Sequence, residues 1–128
     1  YEKKHLETLY KLFRPLFFYA RQNNKMIGYC VYKLVPNLSG LRIRCMKACL
    51  FSIAVLPSSR GSGVGKKLLQ ITLDFLKAQN VVEVYLYVHS DNESAVHLYQ
   101  EFGFRVDPGK KDSLTVDRGI MYMSLNWR

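Results

Sequence analysis

Cysteine is scarce in this 128-residue chain: Cys30, Cys45 and Cys49 make an odd count and form no C-x-x-C pair. That argues against a disulfide framework. In apolar, strand-like surroundings free thiols behave as small hydrophobes, as expected of a reduced, cytoplasmic protein. Long apolar runs are missing too. The best candidate, Leu16–Ala20, is bounded by Arg14, Pro15 and Arg21, far short of the roughly 20 residues of a membrane helix. No signal-peptide pattern is visible. The histidines His5, His89 and His97 are scattered without ligand spacing, so no metal is expected. Repeats and low-complexity tracts are absent.

Acidic residues are unevenly scarce. Of a net charge of +9, residues 1–47 hold +8, with ten Lys/Arg against only Glu2 and Glu7. A field of that sign attracts polyanions: phosphate-rich ligands, RNA on a ribosome, or acidic protein segments. A solvated, solubilising face explains it equally well. With 48% hydrophobic and 23% charged residues, the chain has the mix of one globular domain over residues 1–128, large enough to bury a core.

Periodicity predicts the elements. Leu6, Leu9, Tyr10 and Phe13 recur at helical spacing. Two strands over 16–22 and 26–35 flank a turn at Asn23-Asn24-Lys25, and a long strand over 44–56 stops at Pro57. A glycine- and serine-rich loop, Ser58–Gly65, leads into a helix expected to bury Val64, Leu68, Ile71, Phe75 and Leu76. Val82, Val84, Leu86 and Val88 alternate with Glu83, Tyr85, Tyr87 and His89 as a half-buried strand. Ser90-Asp91-Asn92 then starts a short helix with Ala95, Leu98, Tyr99 and Phe102 on its buried stripe and Gly103 past its end. Strands near 104–107 and 119–126 flank a polar loop from Pro108 to Asp117. The order is that of a mixed α/β or α+β layered fold.

The run Arg60-Gly61-Ser62-Gly63-Val64-Gly65-Lys66 sits between a strand end and a helix start. Glycines admit a close ligand, and the unpaired amides of a first helical turn attract an anion. A plain tight turn is the simpler reading of the same residues. Two familiar phosphate motifs fail. A P-loop needs glycine where Arg60 stands and Ser or Thr where Lys67 stands, and the dinucleotide fingerprint counted from Gly61 needs glycine at Lys66.

A second constellation, Asn92-Glu93-Ser94-Ala95, Leu98-Tyr99 and Gly103-Phe104, follows the first loop across one strand. Together with Val55-x-Pro57-x-x-Arg60-Gly-x-Gly63-x-Gly65 it resembles the acetyl-CoA site of the GNAT superfamily of N-acetyltransferases. The likeness runs closest to the branch that acetylates protein N-termini, ribosomal proteins included. It covers about residues 50–104. The resemblance implies a mostly antiparallel central sheet flanked by helices, with two adjacent strands splayed at the acetyl-CoA site. It also implies that the family's usual first strand and helix are lacking ahead of Tyr1.

By position, the resemblance makes Ile53, Ala54 and Val55 the main-chain partners of the pantetheine arm, one N–H polarising the thioester carbonyl. Arg60 would frame the loop, and Gly61, Ser62, Gly63, Val64, Gly65 and Lys66 would hold the pyrophosphate. Asn92 would bond the pantetheine where the sheet opens after residue 88. Tyr99 falls at the usual general-acid position, and a phenol with an ordinary pKa near 10 is protonated and fit to donate. Packing as a core aromatic is its alternative role.

The base positions depart from the family's pattern. The related enzymes often carry Glu or His where Tyr87 stands, with a second base position at Cys49, and neither residue here is an easy base. Tyr87 is expected to line the site. Glu83 and His89 share its strand face and could take a proton through water, while His89 is as readily a solvated strand-end residue and His97 a surface one. The function implied is acetyl-CoA-dependent transfer of an acetyl group to a primary amine by direct attack in a ternary complex. The acceptor would be a small amine or a peptide N-terminus. A CoA-binding regulatory module with little catalysis, and a basic ribosome- or RNA-associated domain, are the alternatives. Homodimerisation stays open.

Overall fold

The computed structural model describes residues 15–36, 46–107 and 119–127. The helix expected around Leu6–Phe13, most of the loop over 36–43 and all of the Pro108–Asp117 loop lie outside these residues.

Strands β1 (Pro15–Gln22) and β2 (Lys25–Pro36) form a hairpin. Its turn places Asn23 and Asn24 at φ of 53° and 62°. Asparagine tolerates that left-handed geometry, which suits the twist of a two-residue hairpin. Strand β3 (Met46–Val55) leads through a 3-10 turn at Pro57–Ser59 into helix α1 (Val64–Ala78). Strand β4 (Val81–His89), helix α2 (Glu93–Glu101), the two-residue β5 (Arg105–Val106) and β6 (Ile120–Asn126) complete the order. Each lies within about two residues of its sequence-based bounds, since caps and strand ends are locally encoded.

The six strands form one sheet in the order β1-β2-β3-β4-β6-β5. Only β3 and β4 run parallel, the two-layer crossover being supplied by α1. Cys30 and Tyr32 of β2, Ala48 and Leu50 of β3, Val84, Leu86 and Val88 of β4, and Met123 of β6 meet Leu69, Leu73 and Leu76 of α1 and Tyr99 of α2 in one buried cluster. Both helices therefore cover the same face of the sheet. The other face carries Lys33, Cys49, Glu83, Tyr85, Tyr87 and Tyr122.

The face of α1 differs from the amphipathic pattern. Leu68, Leu69, Thr72, Leu73 and Leu76 are buried, whereas Ile71 and Phe75 are 58% and 43% exposed. A polar residue on the buried side misled the periodicity. Thr72 is buried because its hydroxyl bonds Tyr32 Oη at 2.8 Å and donates to the Leu68 carbonyl at 2.7 Å. Phe75 instead packs edge-on against Phe18 at 5.5 Å.

Parallel pairing of β3 with β4 ends at Cys49↔Tyr85. Beyond it the strands part, so the opening begins after Tyr85 rather than after residue 88. A bulge explains the position. Val31 pairs with Ser52 but Tyr32 with Leu50, which leaves Phe51 as an extra residue in β3. A bulge bends its strand and breaks pairing locally. It also switches which residues face the core, from Ala48 and Leu50 before it to Ile53 after it.

Candidate functional site

The parting of β3 and β4 leaves the main-chain N–H and C=O groups along one edge of residues 51–55 without a strand partner. Such groups seek a partner elsewhere. They open onto a cleft of about 720 Å³, within the roughly 300–1,000 Å³ of ligand sites. Ile53, Ala54, Val55, Arg60, Gly61, Gly63, Val64, Gly65, Lys66, Asn92 and Tyr99 all line it. The structure thus gathers residues from β3, the following loop, α1 and α2 around one space. Two expected residues stand elsewhere. Ser62 donates its hydroxyl to the Ser59 carbonyl within the loop, and Tyr87 is 49% exposed on the sheet face away from the helices.

The loop is braced from within. Arg60 Nε donates to the Val55 carbonyl at 3.1 Å, tying the end of β3 to the approach of α1. Gly61 and Gly63 both adopt φ of 84°, a region costly for residues with a Cβ. Gly63 caps α1 without a side chain, and no acidic residue occupies the first turn. The opening amides of α1 are therefore left to an anion, which the helix dipole favours. There is room for one. A Cβ at Gly61 or Gly63 would meet nothing within 4 Å, and at Gly65 only Val55 Cγ2 at 3.7 Å. Lys66 Nζ pairs with Glu101 at 3.0 Å, linking the N-terminus of α1 to the C-terminus of α2 at the cleft's edge. Both ends are more than half exposed, so this pair adds little stability.

Asn92 caps α2, its Oδ1 accepting from the Ala95 amide and the Ser94 hydroxyl, both at 3.4 Å. Its Nδ2 group remains for a ligand. Tyr99 is only 7% exposed, and its ring packs on Phe104 at 5.8 Å. Burial, with Cys30 nearby, raises its pKa above the usual phenol value, so the hydroxyl is a proton donor at neutral pH.

Ser59, Ser94, Ala95 and Leu98 complete the cleft and were not singled out by sequence. The last three fall within motif segments already noted, and the helical period that places Tyr99 on the inner stripe also places Leu98 and Ala95 there. The bulge at Phe51 left a faint sign, the change of alternation from Ala48–Leu50 to Ile53–Val55. An aromatic at the extra position masks it.

On the opposite face, Tyr85, Tyr87 and Tyr122 pack together with ring centroids 5.4–6.3 Å apart. Burial and the neighbouring Cys49 push Tyr85 up to about 12, and burial with Glu83 nearby raises Tyr122 as well. Cys49 is raised by burial too, against an opposing hydrogen-bonding contact with Tyr85. Neither Cys49 nor the phenols of Tyr85 and Tyr122 ionise readily at neutral pH. Among the described residues no cluster of His, Cys, Asp or Glu is placed to hold a metal ion, and no helix is long and apolar enough to cross a membrane.

Comparison with known proteins agrees with this architecture. Residues 1–104 match the Acetyltransferase (GNAT) family. An N-alpha-acetyltransferase of Sulfurisphaera tokodaii is 34% identical over 99 residues, 74% of this chain and 59% of that protein. The [ribosomal protein bS18]-alanine N-acetyltransferase of Escherichia coli is 33% identical over 91 residues, covering 71% and 55% respectively. The chain thus spans somewhat over half the length of these relatives. Among solved structures, Arabidopsis thaliana Naa50 in complex with a bisubstrate analogue superposes over 99% of this chain and 95% of that one, with TM-score 0.71 and 24% identity. A sheet opened beside a helix N-terminus, and a family match over most of the sequence, lead to one statement: the chain belongs to the GNAT acetyltransferase family.

Proposed function

We propose that the protein is an acetyl-CoA-dependent N-acetyltransferase that moves an acetyl group to a primary amine by direct attack in a ternary complex, with a protein N-terminus as acceptor. The observation that carries this reading is the cleft where β3 and β4 part, continuous with the uncapped amides of α1 and walled by Tyr99. Bound acetyl-CoA supplies the thioester. Main-chain groups of Ile53, Ala54 and Val55 hold the pantetheine arm, and one of their N–H groups sits ready to stabilise negative charge on the carbonyl oxygen. Gly61, Ser62, Gly63, Val64, Gly65 and Lys66 offer amides to the pyrophosphate, with Arg60 holding the loop open. Asn92 Nδ2 donates to the pantetheine, and Tyr99 holds the proton for the departing thiolate. Tyr87 borders the acceptor's approach from the opposite face. The names of the two relatives favour a protein N-terminus, and a ribosomal protein docked through the basic N-terminal third fits the charge distribution. Free Cys30 and Cys49 suit a cytoplasmic setting.

The test is thiol release from acetyl-CoA in the presence of peptides with free or blocked N-termini. Release only with free N-termini supports the proposal. Calorimetry that finds no acetyl-CoA binding at millimolar ligand overturns it. Binding without transfer to any amine would instead favour a CoA-binding regulatory module, the reading that the poorly ionising Cys49 and the phenol of Tyr87 keep in view.

A further inference from the structure

The acceptor of the proposed reaction reaches the parting of β3 and β4 across the sheet face turned away from α1 and α2. The charges on that face are one-sided. Strands β1, β2 and β3 contain no Asp or Glu, against Arg21, Lys25, Lys33 and Lys47. The carboxylate that β4 brings to this face, Glu83, is already engaged. Its Oε2 faces Lys47 Nζ at 3.3 Å, and Asn126 Nδ2 donates to its Oε1 at 3.2 Å.

Lys33 is left with its charge uncompensated. It is exposed, and among the described residues no carboxylate lies within ion-pair distance of it. Its neighbour is Phe51 instead, with Nζ standing 3.9 Å from the ring centroid. A ring face holds an ammonium in place without neutralising it. The contact also sets a direction. Lys33 pairs across the ladder with Cys49, the last residue of β3 still paired with β4. Phe51 comes two positions later, is the extra residue of the bulge and is 61% exposed. The lysine side chain therefore leans along the sheet toward the parting.

We infer that Lys33 selects the acceptor by charge, so that peptides with an acidic side chain at the second or third residue are preferred over those with a basic one. In the proposed reaction the thioester lies beside residues 53–55, and Phe51 stands two residues before Ile53, about 7 Å along the strand. An extended peptide advances about 3.3 Å per residue. With its amine at the thioester, the side chain of its second or third residue passes the Lys33 ammonium. A carboxylate there gains a partner, and a lysine or arginine meets like charge. Lys33 touches neither the thioester nor the reacting amine, so it is a specificity residue and not a catalytic one.

This inference rests on the proposed activity, and rates across a set of acceptor peptides separate the two. Peptides alike except for Glu, Gln or Lys at the second residue, and a second set varied at the third, are compared by kcat/KM. Wild-type protein should favour Glu over Lys on the order of fivefold in low salt, the scale of exposed charge pairs. The ratio should shrink in about 0.5 M salt, where screening is strong. The preference should lie in peptide KM more than in kcat, because the pairing is the same before and during transfer. Lys33→Gln should bring the ratio to within about twofold of unity, and Lys33→Glu should invert it. Lys77→Gln, in the last turn of α1, should leave it as in wild type. A wild-type ratio near unity, or a preference for Glu that survives in Lys33→Gln, overturns the inference. So does a lowered Tm in both Lys33 variants with the ratio unchanged, which would make the lysine a cover for the Phe51 ring. Wild-type protein that acetylates no peptide sinks the functional reading, and this one with it.

Discussion

Tyr99 combines two jobs that the sequence offered as alternatives: it packs in the core and its side chain reaches the cleft. Removing only its hydroxyl should therefore spare the fold. Tyr99→Phe is expected to lower kcat on the order of 100-fold while leaving CoA affinity by calorimetry unchanged. Undiminished turnover would take Tyr99 out of the acid role. Thr72 is the opposite case, a polar side chain that no motif marked and that the core depends on. Thr72→Val leaves Tyr32, which has no exposed surface, without its 2.8 Å partner. Loss of about 1–3 kcal/mol is expected in urea denaturation. Tyr32→Phe added to Thr72→Val should recover part of it, because the orphaned hydroxyl is then gone too. The buried threonine was illegible in sequence because its hydrogen bond spans 40 residues.

Among the elements, α1 is set down closely on the sheet. A Cβ at Gly28 of β2 would lie 3.1 Å from the Ala54 carbonyl oxygen and 3.2 Å from Leu68 Cδ1. The backbone oxygen cannot yield, and Leu68 belongs to the first turns of α1. Gly28→Val should cost about 1–3 kcal/mol by overpacking. It should also weaken CoA binding, since the helix start that holds the anion nest would be displaced. Unfolding curves and calorimetry on the same variant check both effects, and unaltered CoA affinity would show the nest to be independent of that contact. Element types and bounds were legible because periodicity, Pro57, Asn92 and Gly103 act over a few residues. The rotated face of α1 was not, since Ile71 and Phe75 carry apolar side chains on the side away from the core.

Over the whole molecule, four tyrosines share one electrostatic consequence. Burial raises the pKa of Tyr32, Tyr85, Tyr99 and Tyr122, with Tyr85 at about 12. An acid held neutral in the fold contributes stability that is complete below its unfolded pKa near 10. That stability is lost as pH rises through the folded values. Stability should thus fall steeply from about pH 10 to 12, coincident with phenolate absorbance near 295 nm. Of the nine tyrosines in the chain, phenolate formation by all before unfolding would contradict the burial of these four.

The sequence by itself determined the strands and helices, the glycine-rich approach to α1, and the positions that resemble a GNAT site. Those signals lie in spacing along the chain. The tertiary structure decided where β3 and β4 separate, that Tyr99 and the Arg60–Lys66 loop wall one cleft, and that Lys33 leans over Phe51 toward the opening. These depend on a bulge at Phe51 and on pairings such as Val31 with Ser52 and Cys49 with Tyr85. Their partners lie tens of residues apart, and only the packed sheet brings them together.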